Sequence, residues 1–132
     1  RSKTTSGQAI ASQIKRKSQI YNVKQGTYPS LYSLSQVPVS EEDSVKNLID
    51  NGTIVAPYDV GNQLNATNAN SGKTVMYVQF NQSGCPSGNG EFIYVVYWDY
   101  TKKTQMSIPI SDKAPSGDIG TGPVQSGNAT CA

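Results

Sequence analysis

The chain has 132 residues, of which 36% are hydrophobic, and its formal net charge is +2, from 11 basic and 9 acidic side chains. A chain of this length is expected to form a single domain over residues 1–132 that buries roughly two-thirds of its unfolded surface. The sequence contains no histidine, which excludes nucleophilic catalysis by a Ser–His or Cys–His pair.

The first predicted element is a helix of about five turns that occupies most of residues 1–25. Ile10, Ile14 and Tyr21 fall within a narrow arc of such a helix. A helix with one apolar arc needs a partner to cover it. These three side chains are therefore predicted to make the contact between the helix and the sheet that follows later in the chain.

Residues near the end of this helix predict where it stops. Gly26 can adopt the left-handed conformation that closes many helices, and Pro29 follows where a helix cannot continue. Lys17 and Lys24 lie near the apolar arc, so their aliphatic stems can flank it while the ammonium groups reach water.

A long connection over residues 26–72 contains one short predicted helix at residues 41–50. Ser40 is its expected N-cap, and the acidic residues of the first turn would oppose the helix dipole favourably: Glu41, Glu42 and Asp43. The apolar face of this helix would consist of Val45, Leu48 and Ile49. Residues 61–72 are predicted to be loop from their composition.

Three strands are predicted as an antiparallel meander over residues 73–110. The segments 73–81 and 104–110 alternate, while residues 91–100 are apolar on both faces and are therefore placed in the centre of the sheet. Residues 101–103 form the hairpin connection between the second and third of these strands.

The third strand is predicted to lie at an edge of the sheet because Pro109 cannot donate a ladder hydrogen bond. Its alternation places Gln105 and Ser107 outward and the apolar side chains inward: Met106, Ile108 and Ile110. A fourth strand could come from residues 53–60 or from the tail, residues 111–132. The predicted fold class is α+β, with a long N-terminal helix on an antiparallel sheet of three to four strands.

A short motif spans the end of the helix. It consists of Ile20-Tyr21, then Gln25-Gly26-Thr27-Tyr28-Pro29-Ser30, then Leu31 and Leu34. This Gly-x-Tyr-Pro segment behind an amphipathic helix resembles the type IV pilins and the related secretion-system pseudopilins. The resemblance covers about a fifth of the chain, and it implies one long helix laid across an antiparallel sheet, with a disulfide near the C-terminus.

The resemblance also implies a function without enzymatic activity. The protein is expected to be the structural subunit of a type IV pilus filament, polymerising through its N-terminal helix and serving adhesion, surface motility or DNA uptake. Its partners would be other pilin subunits and the assembly machinery in the membrane, and its location the cell surface. An apolar half-helix upstream of Arg1 is expected to make the contact with the membrane. Two alternatives remain: a secretion-system pseudopilin, and a minor-pilin binding module such as an adhesin or DNA receptor.

The two cysteines, Cys85 and Cys131, are too far apart in sequence to show a zinc-ligand spacing. A disulfide formed in an oxidising compartment is the economical interpretation. In the predicted meander, the loop at residues 82–90 and the start of the tail lie at the same end of the sheet. A Cys85–Cys131 bond would pin a tail that has almost no apolar side chains, and it resembles the C-terminal disulfide of the pilins.

The charges are unevenly distributed along the chain. Residues 1–40 carry six basic side chains and no acid, whereas residues 41–132 carry five lysines against nine acids. The helix is therefore basic and the rest of the chain acidic. The cluster Lys15, Arg16 and Lys17 is either a solvated helix face or a contact with a neighbouring subunit.

Other ligands find little support in the sequence. No nucleotide-binding fingerprint is present, and neither a cofactor nor a metal is expected. Asp112 and Asp118 could ligate Ca²⁺ from the tail, but their spacing matches no EF-hand, and two solvated turn aspartates are the preferred interpretation. Lys15, Arg16 and Lys17 could contact phosphates, but the acidic remainder of the chain would repel nucleic acid, which is therefore not an expected partner.

Overall fold

The computed structural model describes residues 2–29, 31–50, 54–55, 64–65, 75–81, 91–111 and 114–122. Within them, three helices precede five strands. The helices are α1 (Ser2–Gln25), α2 (Leu31–Ser35) and α3 (Lys46–Asp50); the strands are β1 (Ile54–Val55), β2 (Val75–Asn81), β3 (Glu91–Asp99), β4 (Thr104–Pro109) and β5 (Gly117–Gly120). The predicted α+β class, one long N-terminal helix packed on an antiparallel sheet, is confirmed.

The strands form one sheet in the order β1-β2-β3-β4-β5. All neighbours from β2 to β5 pair antiparallel, and the two-residue β1 lies parallel to the start of β2. The three strands of the predicted meander begin and end within two residues of the predicted positions. Both segments that could supply a further strand do so, since β1 comes from residues 53–60 and β5 from the tail.

The predicted edge position of β4 is wrong, because β5 pairs with its other side. The register joins Gln105 to Gly120 and Ser107 to Gly117. Pro109 lies beyond the last of these pairs, so its missing N–H removes no hydrogen bond from the β4–β5 ladder. A proline therefore prevents hydrogen bonding to a neighbouring strand only at the few residues around it. It does not show that the whole strand lies at the edge of the sheet.

Apolar side chains form two clusters, one on each face of the sheet. The cluster facing α1 contains Ala11, Ile14, Leu34, Val45, Val75, Tyr77, Ile93, Val95, Tyr97 and Ile110. The cluster on the opposite face contains Leu64, Met76, Val78, Tyr94, Val96 and Trp98. The central position of β3, with both faces covered, is confirmed.

Gln105 and Ser107 do not face water as predicted, since both are buried on the face opposite α1. The Gln105 amide Oε1 accepts a hydrogen bond of 2.7 Å from the Leu64 N–H, and its Nε2 donates to the carbonyls of Gly120 (3.2 Å) and Gly122 (2.9 Å). The Ser107 hydroxyl donates to the Pro115 carbonyl. The polar groups of both side chains form hydrogen bonds with backbone groups. A strand face that carries these polar residues can therefore be buried.

The third helix begins at Lys46 instead of residue 41, so the predicted N-cap at Ser40 is also wrong. The preceding residues form turns, in which Glu41 N–H donates to the Pro38 carbonyl and Ser44 N–H donates to the Glu41 carbonyl. Ser44 supplies the capping oxygen, which accepts a hydrogen bond of 3.3 Å from the Lys46 N–H. Ser40 and the acids after it are thus part of the turns that precede the helix, and Ser44 provides the cap although no acid follows it in the first turn.

The end of α1 follows the prediction. Gly26 has φ 82° and its N–H donates to the Asn22 carbonyl at 2.8 Å. This is the single hydrogen bond of a left-handed helix cap.

Candidate subunit-contact surface

The Gly-x-Tyr-Pro segment is fixed to the core of the sheet. Tyr28 packs against the cluster under α1, and Pro29 is buried. The Pro29 carbonyl accepts a hydrogen bond of 2.6 Å from the hydroxyl of Tyr77, a fully buried residue of β2. The turn after α1 therefore holds a defined position relative to the sheet.

The helix–sheet contact uses smaller side chains than the sequence indicated. Ile14 is fully buried and Ile10 packs against the same cluster while partly exposed. Ala11 and Ser18, which the apolar pattern did not single out, are also fully buried. Small residues at this spacing allow the helix to approach the sheet closely. The spacing of residues 11, 14 and 18 places them on one side of a helix, and this contact could have been predicted from it.

Tyr21 lies further along the same side of α1, half-buried, in a cleft of about 300 Å³. The cleft is also lined by residues of the segment that follows α2, including Val37, Pro38 and Asp43. Tyr21 thus shares a cleft with the connection between α2 and α3, whereas the sequence predicted a contact with the sheet.

The three cations predicted to contact a neighbouring subunit lie on different sides of α1, because successive helical residues are about 100° apart. Lys17 contacts its own chain, since its Nζ donates a hydrogen bond of 2.9 Å to the Glu42 carbonyl. Lys15 is half-buried and Arg16 is exposed. Arg16 is therefore the member of the cluster best placed to meet a second molecule.

The acidic turn, residues 38–44, is held against α1 by lysines. Besides the bond from Lys17, Nζ of Lys24 lies 3.5 Å from Oδ1 of Asp43, whose side chain is only 2% exposed. Lys24 itself is 41% exposed. A second cleft, of about 320 Å³, is lined by Lys17 and Val39, and both clefts border Glu41. The turn thus presents exposed Glu41 and Glu42 to solvent while its inner side is fixed.

Three large apolar side chains are exposed near this region of the chain. Val23 on α1 is 83% exposed, Tyr32 on α2 is 75% exposed, and Val39 in the acidic turn is 54% exposed. Single exposed apolar residues are ordinary on protein surfaces. What sets Val39 apart is that it borders a cleft beside exposed carboxylates.

Asp118, one of the two predicted calcium ligands, is committed to contacts within the chain. Its Oδ1 accepts hydrogen bonds of 2.8 Å from the Gly120 N–H and from the Thr104 hydroxyl. These bonds, with a smaller contribution from the charge of Lys102, lower the pKa of Asp118 below its usual value. Asp112 lies outside the described residues. Among the residues described, no group of three or more potential ligands could hold a metal ion.

Cys85 and Cys131 also lie outside the described residues, so their pairing stays a prediction. The start of the tail is where the meander predicted it, since the N–H groups of Ile110 and Ser111 both donate to the Ile93 carbonyl near the start of β3. However, β5 then carries the chain toward the opposite end of the sheet, where Gly122 meets Gln105. Nine residue steps separate Gly122 from Cys131, and nine steps can span about 30 Å.

The chain matches no protein-family model, no curated protein and no solved structure. Within the part of the chain that the structure describes, no helix is long and apolar enough to cross a membrane.

Proposed function

We propose that this protein is the structural subunit of a type IV pilus filament. The observation that carries the proposal is the way α1 is joined to the sheet. A 24-residue helix lies along the sheet, ends at a left-handed glycine, and leads into a Gly-x-Tyr-Pro turn hydrogen-bonded to the buried Tyr77. The resemblance to pilins in sequence and the helix-on-sheet architecture support the same assignment.

In this proposal α1 is the rigid connection between a filament core and an outer domain. An apolar continuation of the helix upstream of Arg1 would provide cohesion, first in the membrane and then in the core of the fibre. The sheet would face outward with the loops around it. The partners would be further copies of the subunit and a membrane-bound assembly machinery, and the location would be the cell surface.

A disulfide between Cys85 and Cys131 is part of the same proposal. Closing a loop of this size would stabilise the folded chain by roughly 4 kcal/mol on chain-entropy estimates.

Immunoelectron microscopy tests the proposed function. Antibodies raised against the 132-residue chain should label surface fibres on cells that make the protein, and deletion of its gene should remove both fibres and labelling. A variant with Ile14→Asp, which disrupts the helix–sheet contact, serves as a folding-defective control that should also lack fibres. Labelling confined to the periplasm would favour a secretion-system filament, and the absence of fibre labelling would contradict the pilus assignment.

A further inference from the structure

One face of α1 points away from the sheet and is left uncovered. The residues of this outer stripe follow each other at intervals of three and four and are all exposed: Ala9, Ser12, Arg16, Gln19 and Val23. They lie on the side of the helix opposite the buried Ala11, Ile14 and Ser18. The stripe carries one charge, that of Arg16, and one large apolar side chain, Val23, which is 83% exposed.

The acidic turn offers complementary chemistry. Lys17 bonds the carbonyl of Glu42 and leaves its carboxylate available, while Lys24 pairs with Asp43. The Lys24–Asp43 contact uses a carboxylate that is only 2% exposed, and it involves neither Glu41 nor Glu42. The carboxylates of Glu41 and Glu42 are therefore exposed beside the apolar Val39, at the border of two clefts.

We propose that the outer stripe of α1 in one molecule docks on the acidic turn of a second copy of this chain. Arg16 would face Glu41 and Glu42, and Val23 would contact the apolar rim around Val39. Such opposite-charge pairing sets the register and speeds the encounter of two copies. Within each molecule the same turn already binds Lys17 and Lys24 of α1. Arg16 of a neighbouring copy would be the third cation bound to this turn.

The two surfaces lie on different sides of the molecule. Lys17 faces the acidic turn, and Arg16 is about 100° further around the helix. A contact between unlike surfaces is heterologous, so a pair of copies still has one free stripe and one free turn, and the assembly can grow as an open helix. This inference rests on the proposed function, because it names the partner surface that a filament subunit would use.

Two charge-reversed variants test the contact. The first is Arg16→Glu, and the second combines Glu41→Arg with Glu42→Arg. Each variant alone places like charges together and should self-associate at least about tenfold more weakly than the wild-type chain at low salt, as measured by sedimentation velocity. An equimolar mixture should associate again, because each variant then meets the opposite charge on both of its surfaces. Lys15→Glu, a reversal next to the stripe, is the matched control and should leave association unchanged.

Melting temperatures within about 2 °C of the wild type would show that the variants are folded. The proposal is overturned if a folded single variant associates like the wild type, if the mixture does not recover, or if the wild-type chain stays monomeric at about 1 mM. Normal surface fibres built from Arg16→Glu protein would also overturn the docking while leaving the filament assignment intact. If the mixed variants associate again but cells make no fibres, the filament assignment is overturned and the docking contact stands.

Discussion

At the scale of single residues, Gly26 and Lys103 are two of the positions whose backbone conformations L side chains rarely adopt. Gly26 closes α1 with φ 82°, and Lys103 in the β3–β4 hairpin has φ 56°. A Cβ at Gly26 would meet open space, so only the backbone conformation opposes a side chain there. Both sites therefore report the free-energy cost of a left-handed backbone conformation. Glycine adopts this conformation readily at position 26, whereas lysine pays the cost at position 103.

We expect Gly26→Ala to lower the free energy of unfolding by about 1 kcal/mol and Lys103→Gly to raise it by up to about the same amount. Lys103→Ala is the control for loss of the lysine side chain, because alanine keeps the conformational cost, and it should change stability little. Urea unfolding of the three variants measures these differences. A stability gain in Lys103→Ala as large as in Lys103→Gly would show that the side chain, and not the backbone, is responsible.

At the scale of elements, β5 is attached to the sheet by its backbone pairing with β4 and by side chains of β4. Gln105 makes three hydrogen bonds, one to Leu64, one to Gly120 of β5 and one to Gly122 just after it. We expect Gln105→Leu to destabilise the protein by about 3 kcal/mol, because it leaves the buried Leu64 N–H and two partly buried carbonyls without their partner. Gln8→Leu, at an exposed helical glutamine, should have little effect. Hydrogen exchange should show faster exchange of the Leu64 amide in the Gln105 variant, and an unchanged rate would contradict the role assigned to the amide.

The attachment of β5 also depends on pH through Asp118. Its pKa is lowered in the folded chain by the hydrogen bonds from Gly120 and Thr104. A carboxylate with a lowered folded pKa contributes stability that is present above its unfolded pKa and lost as the pH falls through the folded value.

We therefore expect the stability difference between wild type and Asp118→Asn to be largest near neutral pH and to shrink below about pH 4. Urea midpoints measured from about pH 7 to about pH 2.5 follow this difference. Asp99→Asn is a useful comparison, since Asp99 also accepts two backbone N–H bonds, from Thr101 and Lys102, in an exposed turn. A difference between wild type and Asp118→Asn that does not vary with pH would contradict the assignment.

The same strand shows what the sequence could not reveal. Gly117–Gly120 has no apolar alternation, and it forms a strand because Gln105, Thr104 and the β4 backbone hold it. A local pattern cannot report contacts that come from residues distant along the chain. By contrast, β2 and β3 are rich in β-branched and aromatic residues, and their bounds lie within two residues of those predicted from the sequence.

At the scale of the whole molecule, the architecture was predictable and the candidate contact surface was predictable only in part. The split of Lys15, Arg16 and Lys17 onto different sides follows from helical geometry alone. The position of the acidic turn did not follow, because residues 41–43 were assigned to a helix. Their place against α1 depends on Lys17 and Lys24, which bond to residues 25 and 19 positions later.

The packing of α1 has a mechanical consequence. The helix contacts chiefly β3, the central strand, and meets β2 and β4 less extensively. A pulling force on the helix would reach the sheet chiefly at its central strand, which is hydrogen-bonded on both sides. Tension would then be divided between two hydrogen-bonded ladders, whereas an attachment at an outer strand would load only one.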